Sequence, residues 1–144
     1  MGACTETPVV LDHCGGPIGL GPHAGRRGEV LSAWAQGLRM FARMPYVHLK
    51  FGGLAMPLAG FGWHRMTEPP DSQALAEAWR TYFEIALEVF GPARMMFESN
   101  FPVDRSGCSQ LTLWNAFKRL SAPLSADERD RLLGGTASHV YGLH

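Results

Sequence analysis

Arg94-Met95-Met96-Phe97-Glu98-Ser99-Asn100-Phe101-Pro102-Val103-Asp104 runs from apolar residues into polar, chemically capable ones and then into a proline turn. In a parallel α/β protein a buried strand ends this way at its carboxyl edge, where ligands bind. The segments on either side fit that reading. Gly91-Pro92 stops the apolar stretch before it, and Ser109 to Leu120 carries Leu113, Trp114, Phe117 and Leu120 at helical spacing after it.

Working back, Asp71 or Ser72 caps a helix that runs to about Phe90, with Leu75, Trp79, Tyr82, Phe83, Ala86, Val89 and Phe90 as its apolar stripe. Before it, Gly53 to Pro70 reads as a long loop holding Phe61, Trp63, His64 and Met66. Aromatic residues in such a loop suggest a lid or a substrate wall. Tyr46-Val47-His48-Leu49-Lys50-Phe51 alternates cleanly, with Val47, Leu49 and Phe51 on one face and His48 and Lys50 on the other. Glu29 to Arg43 is an amphipathic helix on Val30, Leu31, Trp34, Leu38 and Phe41. Pro8 to Cys14 is a short strand stopped by Gly15-Gly16-Pro17. Period two places Val9, Leu11 and His13 on one face. Downstream, Ser125-Ala126-Asp127-Glu128 is a capping box that opens a short helix, read as ending at Gly134-Gly135 before a last turn from Thr136 to Tyr141.

The order strand, helix, strand, helix, strand, helix, helix predicts three parallel strands in one domain, residues 1–144. Lysine plus arginine and aspartate plus glutamate each number 13, so no charge excess draws the chain to nucleic acid or a membrane surface. No apolar run approaches the ~18 residues of a transmembrane helix. The first eight residues carry no signal-peptide pattern. Three scattered cysteines, Cys4, Cys14 and Cys108, read as free thiols in a reducing, cytoplasmic setting, with Cys14 as a small buried residue.

Several segments resemble one family. Phe97 to Asp104 is similar to the strand-eight segment, Gly-Ser/Thr-Asp-aromatic-Pro, of the amidohydrolases related to 2-pyrone-4,6-dicarboxylate lactonase and L-fuconolactonase. Leu11-Asp12-His13-Cys14-Gly15-Gly16-Pro17 resembles the family's Asp-His-x-Gly-x-Pro segment. His48 to Leu54 resembles its Asn-Val-x-x-Lys-x-Ser-Gly-Leu strand, and Gly135 to Tyr141 resembles its C-terminal Asn-Ala…Tyr helix. These enzymes are (β/α)8 barrels, so the resemblance implies the C-terminal portion of such a barrel, its last three strands. A complete barrel needs roughly 250 residues, and the family's strand-one His-x-His pair does not occur here. A missing N-terminal half, or self-association in its place, is the expectation.

The resemblance implies hydrolysis of a cyclic ester or amide in a small anionic molecule. His13 becomes a metal ligand or a group that polarises the scissile carbonyl. A divalent metal, zinc or manganese, and a metal-independent route both stay open, since one histidine is not a zinc site. Asn100 departs from the family, standing where it has an aspartate that activates water. An amide cannot take that proton. Two carboxylates could stand in. Glu98 is two residues earlier; its structural alternative is an ion pair with Lys50 or an arginine. Asp104 lies past the proline; its alternative is a solvated or helix-capping residue. Lys50 is suited to an anionic substrate group, while His48, Trp63 and His64 could line the pocket. A catalytically inactive half-barrel that serves as an association module is the competing reading. As a half-barrel, the piece would leave two strand edges unpaired and the inner residues Val9, Leu11 and Met96 without an opposing layer.

Overall fold

The computed structural model describes residues 7–143, so Cys4 and the first six positions lie outside the described residues. Three strands, β1 (Val9–Leu11), β2 (Val47–Phe51) and β3 (Met95–Phe97), form one sheet in the order β1-β2-β3. Both pairings are parallel. Val9 lies opposite Val47 and Leu11 opposite Leu49; Leu49 lies opposite Met95 and Phe51 opposite Phe97. The helices α1 (Arg27–Ala42) and α2 (Ser72–Phe90) are the connections that parallel neighbours require. After β3 come α3 (Gln110–Ser121), α4 (Ala126–Asp130) and α5 (Thr136–Tyr141). No helix among the described residues is long and apolar enough to cross a membrane.

Alternation in β2 sorts the two faces. Val47, Leu49 and Phe51 are buried at 1, 0 and 0% exposure, whereas His48 and Lys50 are only partly covered. The buried face meets α2 through Phe51 on Phe83, with ring centroids 5.4 Å apart, and α3 through Phe97 stacked on Phe117 at 4.5 Å. Offset and edge contacts of this kind add to the area they bury. Helix α2 begins as its sequence dictates, with the Asp71 carboxylate accepting the Ala74 N–H at 2.8 Å, and it ends at Gly91 with φ 69°. In α1 the packed residues are Trp34, Ala35 and Leu38, whereas Phe41, expected in the stripe, is exposed.

Four expectations are corrected. Strand β1 stops at Leu11, and His13 sits in a following turn at φ 53°, so it does not share a face with Val9 and Leu11. By register, Val9 and Leu11 lie with Val47 and Leu49 on the helix-covered side, which puts Val10 and Asp12 on the side of His48 and Lys50. The helical path does not stop at Gly134-Gly135. It passes through a π-helical turn, Arg131–Gly135, straight into α5, and Gly135 holds helical dihedrals of −61° and −44°. Lastly, Met96 lies on the side of Lys50 yet is 1% exposed, because the π turn and α5 pack on β3.

Candidate active site

The carboxyl ends of the three strands meet through two glycines. A Cβ on Gly52 would lie 2.3 Å from the Glu98 carbonyl oxygen, and one on Gly53, at φ 71°, would lie 2.7 Å from the His13 Cβ. Only glycine lets the end of β2 pass between the turns that follow β1 and β3. The two glycines thereby bring His13 and Glu98 together across 85 residues of sequence.

Glu98 grips His13 twice with one oxygen. Its Oε1 accepts the His13 main-chain N–H at 2.7 Å and lies 2.6 Å from the ring Nδ1. The carboxylate therefore fixes both the left-handed backbone and the ring, and leaves Nε2 for chemistry. The other oxygen, Oε2, is 3.9 Å from Lys50 Nζ, while the nearer partner of Lys50 is Asp12, at 3.0 Å. Glu98 is thus anchored chiefly by His13. Burial alone pulls the Lys50 ammonium down, but the Asp12 carboxylate and the Tyr141 hydroxyl outweigh it, and the group is held above its ordinary range.

Asp104 is not a solvated loop residue. It lies in the 3₁₀ turn Val103–Ser106 and is fully buried. Burial raises its carboxyl to about 6, against the hydrogen bond that Asn100 donates, and the nearby Glu98 charge adds to the rise. Asn100 Nδ2 donates to Oδ1 at 3.3 Å, while Oδ2 has no partner among the described residues. Asn100 itself holds φ 46°, a conformation asparagine tolerates better than most. Because β3 ends at Phe97, the period-two relation between Glu98 and Asn100 does not carry through.

The remaining candidates sit elsewhere. His48 is one step below Lys50 on the same face, beside Arg94 and His139, and burial lowers its pKa. Trp63 stacks on Phe61 at 4.6 Å and tilts on Trp79 at 5.5 Å, so this part of the 53–70 loop is packed against α2. His64 is exposed in the short turn Trp63–Arg65. It borders a cleft of about 590 Å³ with Met66, Arg105 and Cys108, a cleft that His13, Lys50 and Glu98 do not line. Cys14 is fully buried between the N–H and carbonyl of Gly52, and burial pushes its thiol up. Among the described residues no group of three or more His, Cys, Asp or Glu side chains is arranged to hold a metal ion. His13, with Nδ1 already on Glu98, is at most one ligand of such a site.

Two further residues join the site. Asp12 and Tyr141 both lie in segments that resemble the family, but neither has a role until the register sets Asp12 beside Lys50 and the path of the last helix brings the Tyr141 ring to it.

A parallel sheet backed by helices, with its polar side chains gathered at the strands' carboxyl ends, is one part of a (β/α)8 barrel. The amidohydrolase family model matches residues 1–143, and the chain belongs to that family. It is 33% identical over 136 residues to an L-fucono-1,5-lactonase of Burkholderia multivorans, a match that takes in 94% of this chain and 43% of the lactonase. Two crystal structures of an amidohydrolase from Burkholderia multivorans are also similar. One, with bound HEPES, has a TM-score of 0.80 at 32% identity; the other, with bound zinc, has 0.79 at 31%. Each alignment covers 96% of this chain and 45% of the other. The chain therefore spans less than half the length of the relatives it matches.

Proposed function

We propose that this chain supplies one side of the active site of a hydrolase that opens a cyclic ester, a lactone, or a cyclic amide in a small anionic molecule. The observation that carries the reading is the Glu98 carboxylate, which holds the His13 main chain and ring together beside Lys50 at the strands' carboxyl ends. The resemblance to a lactonase supports the substrate class.

In this reading water adds to the carbonyl carbon, the ring carbon–oxygen bond breaks, and the ring oxygen leaves with a proton as a hydroxyl. His13 Nε2 polarises the carbonyl or relays that proton. Glu98 is a positioning residue for His13. Lys50 receives the anionic group of the substrate. Asp104, with a carboxyl near 6 and one open oxygen, takes the base role that Asn100 cannot fill. A zinc or manganese ion, if the whole barrel holds one, would supply Lewis-acid polarisation of the carbonyl, and its ligands would have to come largely from outside these residues.

The test is hydrolysis of L-fucono-1,5-lactone and a panel of other lactones, by the chain alone and by the chain co-expressed with the segment of the Burkholderia lactonase outside the match. The chain alone is expected to be silent. Turnover by the folded complex that Glu98→Gln and His13→Ala abolish supports the proposal. A folded complex without turnover, or with turnover indifferent to both substitutions, overturns it in favour of an inactive association module.

A further inference from the structure

Lys50 has a neighbour that neither the strand pattern nor the family motifs give it. Its ammonium lies 5.7 Å from the centroid of the Tyr141 ring, and Tyr141 is one of the groups that hold it above its ordinary range. Tyr141 is the last residue of α5, in a helical path that would have ended six residues earlier had Gly134-Gly135 broken it. The path is fixed at two points. Leu132 is fully buried in the core, and Thr136 donates its hydroxyl to the Pro92 carbonyl at 2.7 Å. From there α5 runs beside β3, with His139 near His48 and Tyr141 near Lys50, two residues of one sheet face. The complete coverage of Met96, on that same face, agrees with this placement.

We propose that Tyr141 is a positioning residue of the candidate active site: its ring and hydroxyl, carried in by the last helix, hold the Lys50 ammonium against Asp12 and within reach of Glu98. A lysine on a four-carbon stem is free to swing into solvent. Here three groups face its ammonium, Asp12 from the end of β1, Glu98 from the end of β3 and Tyr141 from α5. The aromatic face attracts the cation without neutralising it. Lys50 therefore keeps a full charge, pointed inward, for an anionic group. That last use rests on the proposed function; the positioning does not.

The chain has two lysines, Lys50 and Lys118, and Lys118 is exposed on α3, so it serves as an internal reference. Reductive methylation of the intact chain across alkaline pH, read by peptide mass spectrometry, gives the Lys50:Lys118 labelling ratio and its pH midpoint. Tyr141→Ala is expected to raise the ratio about two- to fivefold, the weight of a part-exposed cation–π contact. Tyr141→Phe, which keeps the ring and loses the hydroxyl, is expected to give a smaller rise and a lower midpoint for Lys50. Should the alanine variant fail to fold, the phenylalanine variant still decides. An unchanged ratio and midpoint in the folded variants overturn the proposal, and because no turnover is measured, that failure is separate from failure of the proposed hydrolysis.

Discussion

Asp104 shows what a single buried carboxyl does to this chain. Its carboxyl is raised from 3.8 to about 6, so between those values the folded chain holds a proton that the unfolded chain has lost. Stability from this group is therefore fully present below about pH 4 and falls as pH rises through 6. The full penalty above that range is about 3 kcal/mol. Asp104→Asn removes it, so urea denaturation should find the variant more stable than the parent at pH 8 and not at pH 4. A variant no more stable at pH 8 would mean that the carboxyl is not raised. Gly53 is the complementary case. An added Cβ meets the His13 side chain at 2.7 Å in a left-handed conformation, so Gly53→Ala should cost about 1–3 kcal/mol in the same measurement and separate His13 from Glu98. The types and order of these residues were legible in the sequence, but their pairing was not. His13 and Glu98 are 85 positions apart and meet only because both turns leave their strands in conformations that no period describes.

At the scale of elements, most of the fold follows from patterns that local physics enforces. The alternation of β2, the Asp71 cap of α2 and the capping box of Ser125 and Glu128 all act within a few residues, and the structure reproduces each. Gly134-Gly135 misleads because glycine is a stop only when the chain needs the left-handed region after it. Here Leu132 and Thr136 hold the chain in a helical path from either side, a tertiary constraint with no local signature. The difference can be measured. A Cβ on Gly134 would meet nothing within 4 Å, and the backbone there is helical. Gly134→Ala should therefore raise stability by about 0.5–1 kcal/mol in thermal or urea denaturation. If the pair were a true helix stop, the same substitution would lower it.

For the whole molecule the question is what meets the open side of the sheet. A half-barrel with both edges bare would expose inner apolar residues, but two features reduce that exposure. Leu11 is partly covered on the helix side, although Val9 beside it stays 41% exposed, and Met96 is buried where α5 packs on β3. The loop from Gly53 to Pro70 does not close the open side; its Phe61 and Trp63 pack against α2. What stays open are the sheet's two outer edges, that of β3, against which the π turn and α5 pack, and that of β1, which has no such neighbour. The Val9 N–H donates to the Tyr46 carbonyl on the β2 side, so the alternating main chain turns the N–H and carbonyl of Val10 away from β2. Such an edge is a template for another strand. The chain should therefore self-associate through β1, with a sedimentation-average mass that climbs across a series from micromolar to millimolar. Proline is tolerated on an edge strand where its missing N–H faces outward, so Val10→Pro should leave the fold intact and hold the chain as a monomer. A parent chain that stays monomeric throughout, or a folded Val10→Pro variant that associates as strongly as the parent, would show that α5 and the turns already shield the sheet and that β1 is not the meeting edge.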